Sequence, residues 1–371
     1  MRNPIYIPIL LFSFALNCAR AETLFVDGHA GNDGGPGTAA MPFLTLDKAV
    51  STAAKLSGGE SITIKLRPGL YSFSDILVLR TLTAPDDAPR YTIEAEILPD
   101  QSDWAPEKMP VLQSMSGNNT PMDINAAFPH SVGIRVARSN VTFRGLKFIG
   151  NPNPAVPSYY PISRDNENLR GLEITQCYFV GDKYSAPLQS GLLASGPGIK
   201  IDHDVFYNCK NAFVLCWAIE DLSVTHSVMY GQYEAVGWIG KVEPPFEFSN
   251  NIVSHESLFL VRLMVLPNYT RGKLPDSATS FKNYVESPIQ PSYILKNSVI
   301  ERDGYKIGYV DSNGNFIQDT KNHIIENGIR STGNVILREA TPDGNPRDYL
   351  NPTPESAGYD LDAGIFMPSR K

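Results

Sequence analysis

The sequence predicts an all-β solenoid, a chain wound into stacked coils of short strands, and three observations lead there. A five-residue pattern recurs seven times. Its spacing is irregular but never falls below 23 residues. Positions one and three are apolar in nearly every copy and positions two and four mostly polar, the period of a strand. The copies are Val141-Thr142-Phe143-Arg144-Gly145, Leu172-Glu173-Ile174-Thr175-Gln176, Ile199-Lys200-Ile201-Asp202-His203, Leu222-Ser223-Val224-Thr225-His226, Phe246-Glu247-Phe248-Ser249-Asn250, Tyr293-Ile294-Leu295-Lys296-Asn297 and Ile329-Arg330-Ser331-Thr332-Gly333. Self-similar units of this kind each bury one face against their neighbours.

The spacings between copies are 31, 27, 23, 24, 47 and 36 residues. The minimum is too short for a strand-helix-strand crossover, and it suits one coil of about three short strands. Helical repeats need about 33 to 47 residues with a 3.6-residue period, which these segments lack. Alternation puts positions one and three inside and positions two and four in solvent. Position five is Gly, Gln, His or Asn and must bend the chain out of one strand into the next. Gly and Asn accept left-handed backbone angles there, and Asn side chains can stack from coil to coil. Larger spacings mark loops thrown outward from a coil.

From the N-terminus, residues 1 to 21 read as a secretory signal. Arg2 is its only early charge, Ile5 to Leu16 is apolar but too short to span a bilayer, and Ala19-Arg20-Ala21 fits a cleavage site. The expected localisation is secreted or periplasmic, with one domain over residues 22–371. Thr45 to Leu56 carries Leu46, Ala49, Val50, Ala53 and Leu56 at helical spacing behind a Thr45 cap, so a capping helix over about 45–57 should plug the first coil. Ser61 to Leu66 and Ile76 to Leu79 are early strands. Residues 84–131 are read as partly loop and residues 151–168 as a Pro-rich loop. Residues 264–292 form the largest insertion, and residues 340–371 run along the outside of the coils. A second strand precedes each repeat: Gly133 to Ala137, Asn211 to Leu215, Glu234 to Gly240, Ser257 to Leu263 and Gly304 to Val310.

Three segments carry a family resemblance. The first runs from Leu24-Phe25-Val26-Asp27-Gly28 through Gly31-Asn32-Asp33 and Gly35-Pro36-Gly37-Thr38 to Pro42-Phe43-Leu44-Thr45-Leu46. The second is Leu66-Arg67-Pro68-Gly69-Leu70-Tyr71. The third is the closing Asp348-Tyr349-Leu350-Asn351-Pro352 with Ser356-Ala357-Gly358 and Asp362-Ala363-Gly364. In these the chain resembles the right-handed parallel β-helix proteins of the pectate-lyase-like superfamily. The resemblance implies a single-stranded right-handed coil over nearly the whole mature chain. It does not choose an activity, since the superfamily holds lyases, hydrolases, epimerases and non-catalytic proteins.

A net charge of −7 opposes nucleic-acid binding, which calls for a basic stripe. It does not exclude an anionic sugar, because a local cluster can oppose the global sign. No later stretch is apolar enough to span a membrane, and a monomer is expected. Removal of the signal leaves Cys177, Cys209 and Cys216. Cys209 and Cys216 either pair or, with Cys177, are small buried residues; their spacing is not that of a zinc site.

Chemistry has two candidate locations. The outward positions of the repeat form a charged strip of Arg144, Glu173, Lys200, Asp202, Glu247, Lys296 and Arg330. Glu173, Lys200 and Asp202 come from adjacent coils, where mixed charge can set up an acid and a base. The alternative is a solvated ladder of alternating charge. His203 and His226 share the turn position, either as a base or metal pair or as members of a polar ladder with Asn250 and Asn297. Asp202-His203-Asp204 superficially resembles the paired aspartates of polygalacturonase-like hydrolases, but that family's Gly-His-Gly and Arg-x-Lys are missing.

The second location is the strand before the repeat, which borders the substrate groove in many members of the superfamily. Here it brings Arg135, Trp217, Glu234, Trp238, Lys241, Arg262 and Tyr305 into play. Aromatic faces stack on sugar rings, and Arg forks bind carboxylate or sulfate. For β-elimination Lys241 or Tyr233 is the base, with Arg262 or a calcium ion neutralising the adjacent carboxylate. For hydrolysis two carboxylates about 5 to 10 Å apart are needed, such as Glu234 with Glu256 or Glu220. No acid cluster is dense enough to assert calcium, and no cofactor motif is present. The expected activity is depolymerisation of a polysaccharide by a lyase or glycoside hydrolase, with a non-catalytic carbohydrate-binding protein as the competing class.

Overall fold

The computed structural model describes residues 21–56, 60–81, 88–120, 129–216, 218–239, 242–255, 259–263, 293–301, 307–310, 316–318, 324–331, 334–338 and 345–368. Trp217, Lys241, Glu256, Tyr305, the insertion at 264–292 and the secretory signal before Ala21 lie outside the described residues.

The described strands stack into three sheets that run the length of the molecule. Sheet 1 has ten strands and contains the repeat: Val141–Arg144, Leu172–Thr175, Ile199–Asp202, Ile219–Thr225, Val242–Ser249 and Tyr293–Lys296 follow one another in strictly parallel pairing. Leu172 pairs with both Val141 and Ile199, and Leu222 with both Ile199 and Phe246. The first five copies thus share one register and form one column. Sheet 2 has eight strands, among them Lys147–Ile149, Tyr178–Val180, Val205–Tyr207 and Val228–Tyr230. Sheet 3 has nine, among them Ser131–Val136, Tyr159–Arg164, Leu192–Ala194, Asn211–Leu215, Ala235–Ile239 and Phe259–Leu263. One coil passes from sheet 1 to sheet 2 to sheet 3 and back. Among the described pairings, one joins antiparallel strands, Phe316–Gln318 against Ile307–Val310.

The seventh copy is the exception to the sequence reading. Tyr293 pairs with Ile324, so Ile324–Asn327 and not residues 329–333 forms the last rung of sheet 1. Gly328 takes the turn at φ 70°, and Arg330 bridges to Val299 in sheet 2. The five-residue shift has a local cause. Ile324-Ile325-Glu326-Asn327-Gly328 ends in the residue that tolerates the turn best, and Ile329 follows it as the apolar residue of the next strand. Two proline-rich segments read as loop also hold strands: Tyr91–Ala95 and Val111–Ser114 within 84–131, and Tyr159–Arg164 within 151–168. Pro161 sits where the pairing with Ser131–Val136 skips one residue, so no ladder bond is lost to it.

Position five behaves as its residue types require. Gly145, Gln176, His203, His226, Asn250 and Asn297 all have φ between 47° and 68°. The bonds from coil to coil, however, are made by the following residue, which points inward. The Cys177 amide donates to Asp204 Oδ1 (2.7 Å), the Asp204 amide to Ser227 Oγ (3.1 Å), the Ser227 amide to Asn251 Oδ1 (2.9 Å) and the Asn251 amide to Ser298 Oγ (3.0 Å). Asn251 Nδ2 also donates to the Val224 carbonyl at 2.8 Å. All five residues are fully buried. A left-handed turn aims its next amide into the core, away from water. A side chain from the adjacent coil must then satisfy it.

Beneath the sheets the core is laid down in columns. Phe148, Phe179 and Phe206 stack face to face with centroids 4.8 Å apart at each step, the coil spacing itself. Cys177 and Cys209 belong to this core, and Cys177, Cys209 and Cys216 are all buried with no disulfide among them. The helix Leu46–Ala53 closes one end: Thr45 Oγ1 accepts the Lys48 amide at 3.1 Å, and Leu46, Ala49, Val50 and Ala53 face the first coils. Ahead of it Asp27 accepts the amides of His29 and Ala30 (both 2.9 Å) and pairs with Arg67 at 3.1 Å. The Ala30 amide above all, with those of His29 and the Arg67 guanidinium, holds the Asp27 carboxyl below its usual range against the opposing effect of burial.

The outer face of sheet 2 is covered by the C-terminal segment. Val335, Leu337, Leu350, Ile365 and Phe366 pack with Tyr178, Val205, Val228, Ile252 and Val299 into a second apolar cluster. Trp104 joins it edge-on to Phe366 at 5.3 Å. Polar ties finish the attachment: Gly364 N–H donates to the His226 carbonyl, Gln176 Nε2 to the Ile365 carbonyl and Met367 N–H to Asp100 Oδ1.

Two outcomes are expected. Asn251→Ala leaves the Ser227 amide unpaired in the core, removes the side-chain bond to the Val224 carbonyl and lowers stability by about 1–3 kcal/mol; a thermal midpoint equal to the parent's would contradict the amide relay. Asp27 has a depressed folded-state pKa, so its stabilising effect is present above the unfolded value of about 3.9 and fades as pH falls through the lower folded value. Asp27→Asn should therefore be less stable at pH 7 yet show a flatter decline below about pH 4, as followed by circular dichroism.

Candidate functional site

Sheet 3 brings three of the predicted groove residues, Arg135, Trp238 and Arg262, onto one register column. Arg135 pairs with Ser163, Ser163 with Leu193, Leu193 with Val214, Val214 with Trp238 and Trp238 with Arg262. Their sequence neighbours Ile134, Ile162, Leu192 and Phe213 are at most 1% exposed in the core, so alternation assigns Arg135, Ser163, Leu193 and Val214 to the outer face. Five steps of about 4.8 Å make the column about 24 Å long. Arg135 stands at one end, its Nε 4.0 Å from Asp165 Oδ2. Trp238 and Arg262 are register neighbours at the other. Between them Leu193 and Val214 join Tyr160 and Cys216 in a buried apolar cluster on this outer face.

Glu234 lies at the edge of that cluster, just before the strand Ala235–Ile239. Its carboxylate accepts from Asn211 Nδ2 at 3.2 Å and pairs with Lys210 Nζ at 3.5 Å. Burial pushes the nearby Tyr160 phenol up, and Cys216 and the Glu234 charge add to the effect. Glu220 does not meet Glu234. It belongs to sheet 1, paired with Glu243, past the far end of a five-residue sheet-3 strand. That places it roughly 16 Å away, beyond the reach of a carboxylate pair. Burial raises the Tyr233 phenol, the direction opposite to the one a phenolate base needs.

The charged strip on sheet 1 does meet. Lys200 Nζ lies 3.2 Å from Glu173 Oε1 and 3.8 Å from Asp202 Oδ2, while Arg90 reaches Glu173 Oε2 at 3.6 Å. One step on, at the corner between sheets 1 and 2, Asp202 Oδ1 lies 3.1 Å from His203 Nδ1 and 3.4 Å from His226 Nδ1, and it accepts the Thr225 hydroxyl at 2.6 Å. Burial alone would raise the Asp202 carboxyl, but both imidazoles and the Thr225 hydroxyl outweigh it and hold the carboxyl far below its usual range. The two imidazoles stack with centroids 4.7 Å apart, and Asn250 Nδ2 stands 3.2 Å from His226 Nε2. His226 opens onto a trough of about 510 Å³ with Asn250, Asn297 and Gly328 as floor and Asp360 and Asp362 as wall. Arg330 lies in it, paired with Asp360 at 2.9 Å.

Sequence reasoning missed three features here. Asp204, noted in sequence only for a superficial likeness to a hydrolase pattern, is fully buried in the amide relay. Burial pushes its carboxyl well above the usual range, against the opposing Cys177 amide. Arg164 occupies an inward position and donates to the carbonyls of Ser195, Gly196 and Pro197, a bend that only the folded chain brings near it. The trough wall comes from the C-terminal segment, about 130 residues along the chain from the histidines. Its one sequence signal was the expectation that this segment runs along the outside.

No protein-family model and no curated protein matches the chain. Among solved structures, it is similar to a rhamnogalacturonan lyase at 12% identity, covering 78% of this chain and 72% of that one with a TM-score of 0.42. It is similar to a pectin methylesterase in complex with a hexasaccharide at 12% identity, covering 93% and 98% with a TM-score of 0.42. A pectin methylesterase from Aspergillus niger gives 12% identity, 88% of each chain and a TM-score of 0.41. At such values the assignment rests on the three stacked sheets and their register, and by these the chain folds as a parallel β-helix.

Proposed function

We propose that this protein acts on a polysaccharide laid along the outer face of sheet 3, as a lyase or glycoside hydrolase. The observation that carries the reading is the single register column from Arg135 to Arg262. A row of positions one coil apart, about 24 Å long, suits a linear polymer better than a compact ligand, because successive coils can meet successive sugar units. Arg135 and Arg262 supply forks for carboxylate or sulfate groups, Trp238 supplies a ring face, and Glu234 supplies a carboxylate for proton transfer. Lys241, close in sequence to Trp238, is the candidate base for β-elimination. Arg262, or a calcium ion, would then neutralise the neighbouring carboxylate. The solved structures to which the fold is similar include enzymes named for pectin and rhamnogalacturonan.

A second reading, a non-catalytic carbohydrate-binding protein, draws on the middle of the column. Leu193 and Val214 are apolar and buried there, and Glu234 is already engaged by Asn211 and Lys210. The middle of the column thus supplies no acid of its own, and binding without turnover would rest on its ends.

The test is incubation with polyuronates, sulfated galactans and neutral glycans. Absorbance of an unsaturated uronate identifies a lyase, new reducing ends without it a hydrolase, and retention on a glycan gel without turnover a binder. Trp238→Ala combined with Arg262→Ala should weaken any of these by about 2 kcal/mol or more while leaving the thermal midpoint within a few degrees. Neither turnover nor retention on any glycan overturns the proposal.

A further inference from the structure

The corner between sheets 1 and 2 holds a second constellation that the glycan reading does not use. Asp202 and His203 are consecutive, and His226 occupies the turn position one coil later, so the fold brings three potential ligands together. All their donor atoms lie within 4.8 Å of one another. His203 is 5% exposed, and neither of its ring nitrogens makes a hydrogen bond. Its Nδ1 is 3.1 Å from Asp202 Oδ1 but off the line a hydrogen bond needs. A polar ring so deeply buried is normally satisfied. An Asn or Gly at the same turn, as at Asn250 and Gly145, would meet the backbone requirement without leaving two nitrogens unpaired.

We propose that Asp202, His203 and His226 bind one divalent transition-metal ion of the Zn2+ class. Bonds of about 2.0–2.1 Å in a tetrahedral shell set ligand atoms about 3.3 Å apart. The two Asp202–imidazole separations, 3.1 and 3.4 Å, bracket that edge. Two imidazoles and one carboxylate suit Zn2+, whereas Ca2+ and Mg2+ favour all-oxygen shells. Three protein ligands leave a fourth position, and His226 directs it toward the trough, which gives solvent access. Outer partners stand nearby: the Thr225 hydroxyl orients the carboxylate, and the Asn250 amide, assigned with Nδ2 toward His226 Nε2, accepts that ring proton once turned over. Lys200, 3.8 Å from Asp202 Oδ2, is the competing cation.

One rearrangement is required. Rings stacked within 13° of parallel cannot both aim their in-plane lone pairs at one ion, so the partly exposed His226 ring must rotate out of the stack. Metal uptake should therefore be visible at the rings themselves and not only as a binding isotherm.

The experiment uses the chelator-treated, dialysed protein. Zn2+ is titrated calorimetrically, Co2+ by visible absorption, with imidazole proton resonances followed throughout and Ca2+ as control. The expected result is one ion per chain, intense tetrahedral Co2+ bands and a shifted His226 ring. His226→Ala, at the partly exposed position, and Asp202→Asn should each weaken Zn2+ binding by about tenfold or more with the fold intact by circular dichroism. A parent protein that takes up neither Zn2+ nor Co2+, one that prefers Ca2+, or uptake unchanged in both variants overturns the proposal. Glycan turnover and retention are read separately, so either idea can fail alone.

Discussion

Everything in this molecule leans on the amide that each left-handed turn aims inward. Six successive turns at one corner adopt positive φ, and each leaves the next N–H in a region closed to water. Asp204, Ser227, Asn251 and Ser298 supply acceptors from the neighbouring coil. The relay therefore does more than fill a hydrogen-bonding deficit. It ties each coil to the next at a point where strand pairing stops, and so fixes the vertical register in which phenylalanines stack and outward columns form.

The same constraint divides the surface into regions with different freedom. The tight corner between sheets 1 and 2 has room for two residues per coil, which is why side chains such as His203 and His226 fall directly above one another. The passages between sheets 2 and 3, and from sheet 3 back to sheet 1, vary in length and carry the larger loops. Repetition at one corner builds closely spaced groups of like geometry. Variation at the others builds a face whose chemistry differs from coil to coil, as the run from Arg135 through Leu193 to Arg262 shows.

Much of this was legible in the sequence because period-two alternation and a turn residue repeat at the same interval. Five copies from Val141 to Phe246 were read in correct register, and so were the helix behind Thr45 and the position of the sheet-3 strands. The seventh copy was not, because Ile329 also follows the apolar-polar pattern and its competitor at Ile324 carries Ile at position two. Proline content hid Tyr159–Arg164, since a single skipped rung accommodates Pro161. The candidate site residues were harder. Arg135, Trp238 and Arg262 could be guessed by type, but their alignment depends on pairing across five coils. The partners of Asp202 depend on a turn conformation, and the trough depends on a segment more than a hundred residues away.

The attachment of the C-terminal segment changes how the whole molecule should come apart. A plain stack of coils is a one-dimensional object in which an end can fray without disturbing the middle. Here Met367 is fastened to Asp100, and Ile365 to Gln176, across 267 and 189 positions of chain. Phe366 wedges against Trp104 at the same place. The last residues thus clasp the early coils like a buckle, and a break anywhere along the clasp is felt at both ends. Such a molecule loses its structure as one piece, and the early coils stay without their outer cover until synthesis has delivered the final residues.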